Sequence, residues 1–245
     1  MLSSHTAYYM NLTADLYSED DPDSALTADY IENVKQAGII TNAMNGDIVV
    51  TNCGPYNENV RTRQETDENV RNNISEIVDF WQEYGLNPKL GIEVTGSPDL
   101  FGSEEQIFEL CDDISGGTVV PVLNFSHYHA RYGGYFKDAN DFLDTINRFA
   151  EFGKGHVWSA FSNVDFDPHT NTERFLTPLK KGNLKFEKLA DALVECNPDI
   201  TIISNSPLME HDAVYMRTLT ERVLSKKAAK ILKERKKAAE AVPAE

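Results

Sequence analysis

Cysteine is scarce in this chain. Its three cysteines, Cys53, Cys111 and Cys196, are odd in number and scattered, which excludes a disulfide scaffold and a cysteine-based metal site and points to a reducing, cytoplasmic setting. No apolar run approaches the roughly 18 residues of a bilayer-spanning helix, and the N-terminus has no basic-then-apolar leader pattern, so no membrane partner is expected. There is no glycine-rich nucleotide loop, no convincing Ser/His/Asp order and no internal repeat. Positive charge is sparse too: 23 Lys and Arg stand against 39 Asp and Glu, a net −16. The imbalance is uneven. Residues 226–245 hold seven basic and three acidic residues, leaving 16 basic and 36 acidic residues, or −20, for the rest. A body of that sign repels a phosphate backbone at long range, so nucleic acid binding would need a local basic groove or bound metal.

What is present is a regular alternation. The 245 residues, 41% hydrophobic and 10% aromatic, suffice for one substantial core. β-rich runs occur at MLSSH, GDIVVTNCG (46–54), LGIEVTGS (90–97), GTVVPVLNFSH (117–127), GHVWSAFS (155–162) and ITIISNSP (200–207). Between them lie segments with helical apolar spacing, such as ENVRNNISEIVDFWQEYG and ANDFLDTINRFAEFG. Ser103 precedes Glu104 and Glu105 as a helix cap, and Gly85 and Gly153 follow apolar runs as helix stops. Strands alternating with helices predict an α/β fold with a parallel sheet, of the (β/α) TIM-barrel type. The expected division is a barrel over 1–223 and a basic terminal helix and tail over 224–245, with AVPAE frayed.

Polar residues recur at the predicted strand ends: His5, Asn52, Glu93, Asn124 with His127, His156 and Asn205. The C-terminal ends of the strands are where a parallel barrel builds its active site. Six such positions in successive units point to one shared site, working or ancestral.

These residues carry a resemblance. HTAYYMNL (5–12), GIEVTGSPDLFGS (91–103), LNFSHYHARYGG (123–134), GH (155–156), LKKGNLKFEKL (179–189) and ISNSPLMEHDA (203–213) resemble endonuclease IV. The likeness is closer still to its archaeal relatives in the xylose-isomerase-like barrel superfamily, and it runs to about residue 223. The resemblance implies a trinuclear zinc site that cleaves DNA 5′ to an abasic sugar. It assigns metal ligation to His5, Glu93, His127 and His156, and catalytic roles to Glu93, His127 and His156. Arg131 and Tyr8 become candidate phosphate or substrate contacts.

At other positions the family's ligands are replaced. Asn52 stands for a histidine, Asn124 for an aspartate and Asn205 for a glutamate. The Asp-x-His pair of the seventh unit aligns either with Glu173 and Phe175, which fit the downstream spacing better and lose the histidine, or with Asp167 and His169. Each carboxylate-to-Asn change removes a charge that offsets a divalent cation and leaves a poor zinc ligand. Fewer than three zinc ions are therefore expected, at most one in a reduced site of His5, Glu93 and His156, and none if the site is fully degenerate.

Only four residues precede His5, so the first two βα units of the family barrel have no counterpart. A sheet of six strands is expected to leave two edges open, to be covered by a second protein chain or by another copy of this one. The functional expectation is a non-hydrolytic binding or regulatory protein of DNA-repair ancestry, with an abasic DNA site or a sugar-phosphate as ligand. Two alternatives stand beside it: a zinc-dependent AP endonuclease with a reduced one- or two-metal site, and a sugar isomerase-type enzyme.

Overall fold

The computed structural model describes residues 1–114 and 116–240. Six strands form one parallel sheet: β1 (Ser3–His5), β2 (Ile48–Thr51), β3 (Lys89–Glu93), β4 (Val119–Asn124), β5 (Val157–Phe161) and β8 (Ile200–Ser204). Their spatial order follows chain order, and among the described residues β1 and β8 do not pair with each other. The result is a half-barrel, open between its first and last strands. Each predicted strand is present.

Six helices flank or cap this sheet: α1 (Ser24–Ala43), α2 (Arg63–Glu83), α3 (Glu104–Asp113), α4 (Phe125–Arg131), α5 (Ala139–Phe152) and α6 (Phe186–Cys196). A seventh, α7 (Glu210–Glu240), follows β8 and runs without a break through position 223. From Leu224 to Arg235 all its residues are exposed. The AVPAE tail, expected to fray, lies outside the described residues.

The helix ends follow local chemistry. Thr62, Ser103 and Asp138 each close a capping box with the residue three positions on, satisfying amides that the helix itself leaves unpaired. Gly85 takes a left-handed φ of 63° just after α2, and Gly153 caps α5. Both glycines end helices as their positions predict.

Two features depart from the sequence pattern. The run 117–127 is not one strand: β4 ends at Asn124, and α4 starts at the next residue. The Asn124 side chain caps α4, accepting from the amides of Ser126 at 3.1 Å and His127 at 3.3 Å. His127 therefore sits in the first turn of a helix rather than in a loop. The second departure is an antiparallel hairpin, β6 (Asn163–Asp167) and β7 (Thr172–Thr177), inserted between β5 and α6. Its partly exposed, charge-bearing strands lack the clean alternation by which a half-buried strand is recognised.

The main core lies between the sheet and its helices and includes Trp81, Phe125, Phe142, Phe149 and Phe161, all fully buried. A smaller, separate cluster of Ile48, Val50, Val120 and Val122 with Trp158 lies on the concave side of the sheet. On the outer side α1 and α2 touch through Gly38: a Cβ there would lie 2.2 Å from the Trp81 ring. An alanine normally favours a helix interior over glycine by about 1 kcal/mol. Here overpacking reverses the sign. Gly38→Ala is expected to destabilise the protein by roughly 1–3 kcal/mol in urea unfolding, and a gain in stability would show that the two helices are not held this closely.

Candidate functional site

The C-terminal ends of the strands open into a cavity of about 660 Å³. At its base four ionisable side chains stand in a row. His5 ends β1, and its Nε2 lies 3.4 Å from Glu93 Oε2. Glu93 ends β3 and is only 6% exposed. The same Oε2 lies 3.7 Å from His127 Nε2, while His127 Nδ1 bonds Glu173 of β7 on its other side. The order is His, Glu, His, Glu, so every charged group faces an opposite one.

Each member is oriented by something further out. The Nδ1–H of His5 donates to the carbonyl of Thr6 at 2.7 Å. Asn124 Nδ2 donates to Glu93 Oε1 at 3.1 Å, using the amide end that its capping role leaves free. Glu173 is held by its backbone, whose N–H donates to the carbonyl of Gly96 at 2.8 Å. Gly96 has no room for a side chain, because a Cβ would lie 2.2 Å from Glu173 Oε2.

The electrostatics follow from this pairing. Burial alone depresses the basicity of His5, but the hydrogen bond and charge of Glu93, with the Thr6 carbonyl, outweigh it and raise its pKa. His127 is raised likewise, burial being outweighed by the bond and charge of Glu173 and by the charge of Glu93. Burial pushes Glu93 up, yet the bond from His5, the charges of both histidines and the Asn124 amide bring it below its ordinary value. The pairing thus favours the protonated form of both imidazoles and the ionised form of Glu93, the combination in which their charges offset one another.

The remaining predicted residues divide. Asn52 and Asn205 line the same cavity, Asn52 Nδ2 donating to the carbonyl of Tyr8 at 3.1 Å. Tyr8 is 85% exposed at the cavity mouth and packs edge-on against Tyr9. Of the two seventh-unit alignments, the structure brings Glu173 into the row, whereas Asp167 pairs with Arg174 and bonds the amide of His169. Phe175 is 57% exposed and lines no part of the cavity.

Two expectations are overturned. His156 does not join the site: it precedes β5 and so lies at the opposite, N-terminal end of the sheet. There its Nδ1 pairs with Asp199 at 2.9 Å and its Nε2 lies 3.1 Å from Thr201 Oγ1. The polar residues after β5 are Ser162 and Asn163, both fully buried, and Asn163 Nδ2 is spent on the carbonyls of Leu179 and Leu184. The buried run Val157–Phe161 marks the strand, so a residue beyond Phe161, not before Val157, was the place to look. Arg131 is not a ligand contact either. It is buried, and its Nη1 reaches Thr95 Oγ1 at 2.9 Å, the Leu100 carbonyl at 3.2 Å and the Ser97 carbonyl. It clamps the loop that carries Gly96.

The donor set fits a trinuclear zinc site poorly. Among the described residues no group of three or more His, Cys, Asp or Glu side chains is arranged to hold a metal ion. Asn52, Asn124 and Asn205 offer neutral amides, and Asn124 turns its N–H, not an oxygen, toward Glu93.

A parallel half-barrel with a polar site at its strand ends defines the class, an α/β barrel with its chemistry at the C-terminal face. The chain belongs to the xylose isomerase-like TIM barrel family, which it matches over residues 2–233. An uncharacterised protein of Methanocaldococcus jannaschii is 26% identical over 220 residues, covering 88% of this chain and 75% of its own length. Among solved structures, a D-tagatose 3-epimerase-like protein superposes with a TM-score of 0.69 at 17% identity, covering 94% of this chain and 79% of that one. Endonuclease IV from Thermus thermophilus gives 0.63 at 17%, with coverages of 91% and 76%. The IOLI protein, solved with a bound zinc atom, gives 0.60 at 17%, with coverages of 92% and 76%. At these identities the likeness is one of fold.

The paired row makes stability depend on pH. Both histidines are more basic folded than unfolded, so their contribution is complete below the ordinary value of 6.5 and is lost as pH rises through the raised folded values. Glu93, held below 4.5, contributes above that pH and stops doing so as pH falls through its folded value. Thermal melting should therefore be most favourable between about pH 5 and 6.5 and decline on the alkaline side. His127→Gln should flatten the alkaline limb, and a wild-type melting temperature that stays constant through that limb would contradict the pairing.

Proposed function

We propose that this chain is a non-hydrolytic member of its family, a binding or regulatory protein that takes a small hydroxyl-rich ligand over the His5–Glu93–His127–Glu173 row. The observation that carries this is the row's alternating geometry, in which each carboxylate contacts an imidazole and each imidazole a carboxylate. Hydrolysis of a phosphodiester at such a site relies on ions held roughly 3.5–4 Å apart by bridging carboxylates. In this chain the bridging carboxylate is already matched by two imidazoles and an amide N–H. Among the described residues the cavity also offers no unpaired cation for a phosphate: Arg174, which lines it, is engaged by Asp165 and Asp167. What remains are hydrogen-bonding groups, Asn52, Asn205 and Ser97, with Tyr8 and Tyr9 at the mouth as faces on which a sugar ring can rest.

The likeness to endonuclease IV supports a second, competing function, a zinc-dependent AP endonuclease with a reduced site. It is favoured by one detail: Glu93 Oε2 has an imidazole nitrogen at 3.4 Å on one side and at 3.7 Å on the other. Metal content and cleavage separate the two.

Zinc bound after equilibration and dialysis is expected to be near zero per chain, with no cleavage of a duplex containing an abasic site. Three ions per chain, or abasic-specific cleavage, would overturn the proposal. Restoring charge should restore metal. Asn124→Asp alone exchanges an N–H···O bond for two facing carboxylates and should cost roughly 1–3 kcal/mol without metal, a loss that added zinc reverses. Asn52→His, Asn124→Asp and Asn205→Glu together should bind zinc measurably. If they do not, the three positions do not converge.

A further inference from the structure

Below the polar row lies a second cavity, of about 240 Å³, on the concave side of the sheet. It shares His5, Glu93 and Asn205 with the larger cavity above, so the two meet at the row. Its character is different. Ile48, Val50, Val122, Trp158, Ala160 and Ile203 supply most of its walls, with the hydroxyl side chains of Ser3, Ser4, Ser159 and Thr201 between them. Three of the apolar residues belong to the hydrophobic cluster that is separate from the main core, and Trp158 packs against it. In a closed eight-stranded barrel this volume is filled by layers of inward side chains. Here the strands supply too little bulk: Ala160 has a short side chain, and β1 contributes Ser3 and Ser4.

We infer that the ligand is amphipathic, with a hydroxyl-rich head over the His–Glu row and a single ring or short alkyl chain in the cavity beneath. The inference rests on the proposed ligand-binding function and names its chemistry further. Three observations combine. The two cavities adjoin at the row, sharing His5, Glu93 and Asn205 in their linings. An apolar cavity of roughly 150 Å³ suffices to hold a benzene molecule, so the lower one has room for a ring or a short chain. The charged groups are confined to the junction, where His5 and Glu93 are paired with each other rather than turned into the apolar space. A purely polar ligand would leave the apolar walls of the lower cavity without a partner, and a purely apolar one would leave the row uncontacted.

Trp158 supplies the signal, since the other tryptophan, Trp81, is fully buried in the main core. Two homologous series of probes are titrated into the full chain, by tryptophan emission and calorimetry. Straight-chain alcohols from ethanol to octanol test the lower cavity alone, and alkyl β-glucosides from methyl to octyl, kept below micelle-forming concentrations, test head and tail together. Affinity in both series is expected to rise about fourfold per added methylene and then level off when the cavity is full. Glucosides should bind at least tenfold tighter than alcohols of equal chain length.

Val122→Phe, which fills the cavity, should abolish the chain-length dependence while methyl glucoside still binds. Ala160→Phe serves the same purpose should the first variant fold poorly. Glu173→Gln should remove the advantage of the glucosides and leave the alcohols unchanged. No saturable alcohol binding, or a length dependence that survives both filling variants, would overturn the inference and leave the proposed function standing. Alcohols that bind with no advantage for glucosides would overturn both, because the row would then be contributing nothing to a ligand.

Discussion

The hydrogen bond from Asn124 Nδ2 to Glu93 Oε1 is the contact on which the site depends. Glu93 is a nearly buried carboxylate, and a buried charge must be matched or it will not stay ionised. An aspartate at 124 would face it with a second carboxylate, and two such groups at about 3 Å cannot both ionise without a cation between them. Asparagine removes that need by bringing its own N–H. The same side chain accepts from Ser126 and His127 amides at its other end, which starts α4 and aims His127 at the other oxygen of Glu93. One amide therefore fixes a helix start, a histidine position and the charge balance of the site.

The row also explains why likeness of fold says little here about activity. A half-barrel of this kind superposes comparably on an epimerase-like protein and on an endonuclease. The strands and the packing of Trp81, Phe142 and Phe149 behind them are indifferent to what stands at the strand ends. Chemistry resides in a handful of side chains grafted onto that frame, and in this chain asparagine stands at several of those positions.

The strands were legible because Val- and Ile-rich runs alternate with helical periodicity, and that pattern survives folding. His5, Glu93 and His127 were legible as a group because motif order preserves strand ends. Glu173 was one of two alignments that the sequence left open, the better one by its downstream spacing, and only the structure shows that its partner is His127. His156 was not, since a polar residue beside a strand reads the same in sequence whether it precedes or follows, and only the buried stretch Val157–Phe161 decides which end it occupies. Arg131 was misleading for another reason. An arginine after two histidines looks like a phosphate contact, whereas burial turned it inward to backbone carbonyls at a separation no local pattern encodes. The β6–β7 hairpin was missed because its outward face carries charge where a strand is expected to carry alternation.

Gly96 and Glu173 lie far apart in sequence and occupy nearly the same space. The absent side chain at 96 is the room into which the Glu173 carboxyl fits, and the 96 carbonyl is the acceptor for the 173 amide. The two positions are therefore sterically coupled. A lineage that acquired any larger residue at 96 would displace the carboxyl, release His127 from its second partner and loosen the hairpin's grip on the loop, all in a single step. Drift at either position is constrained by the other, so the hairpin, although it lies on the periphery of the barrel, should evolve at the pace of the core.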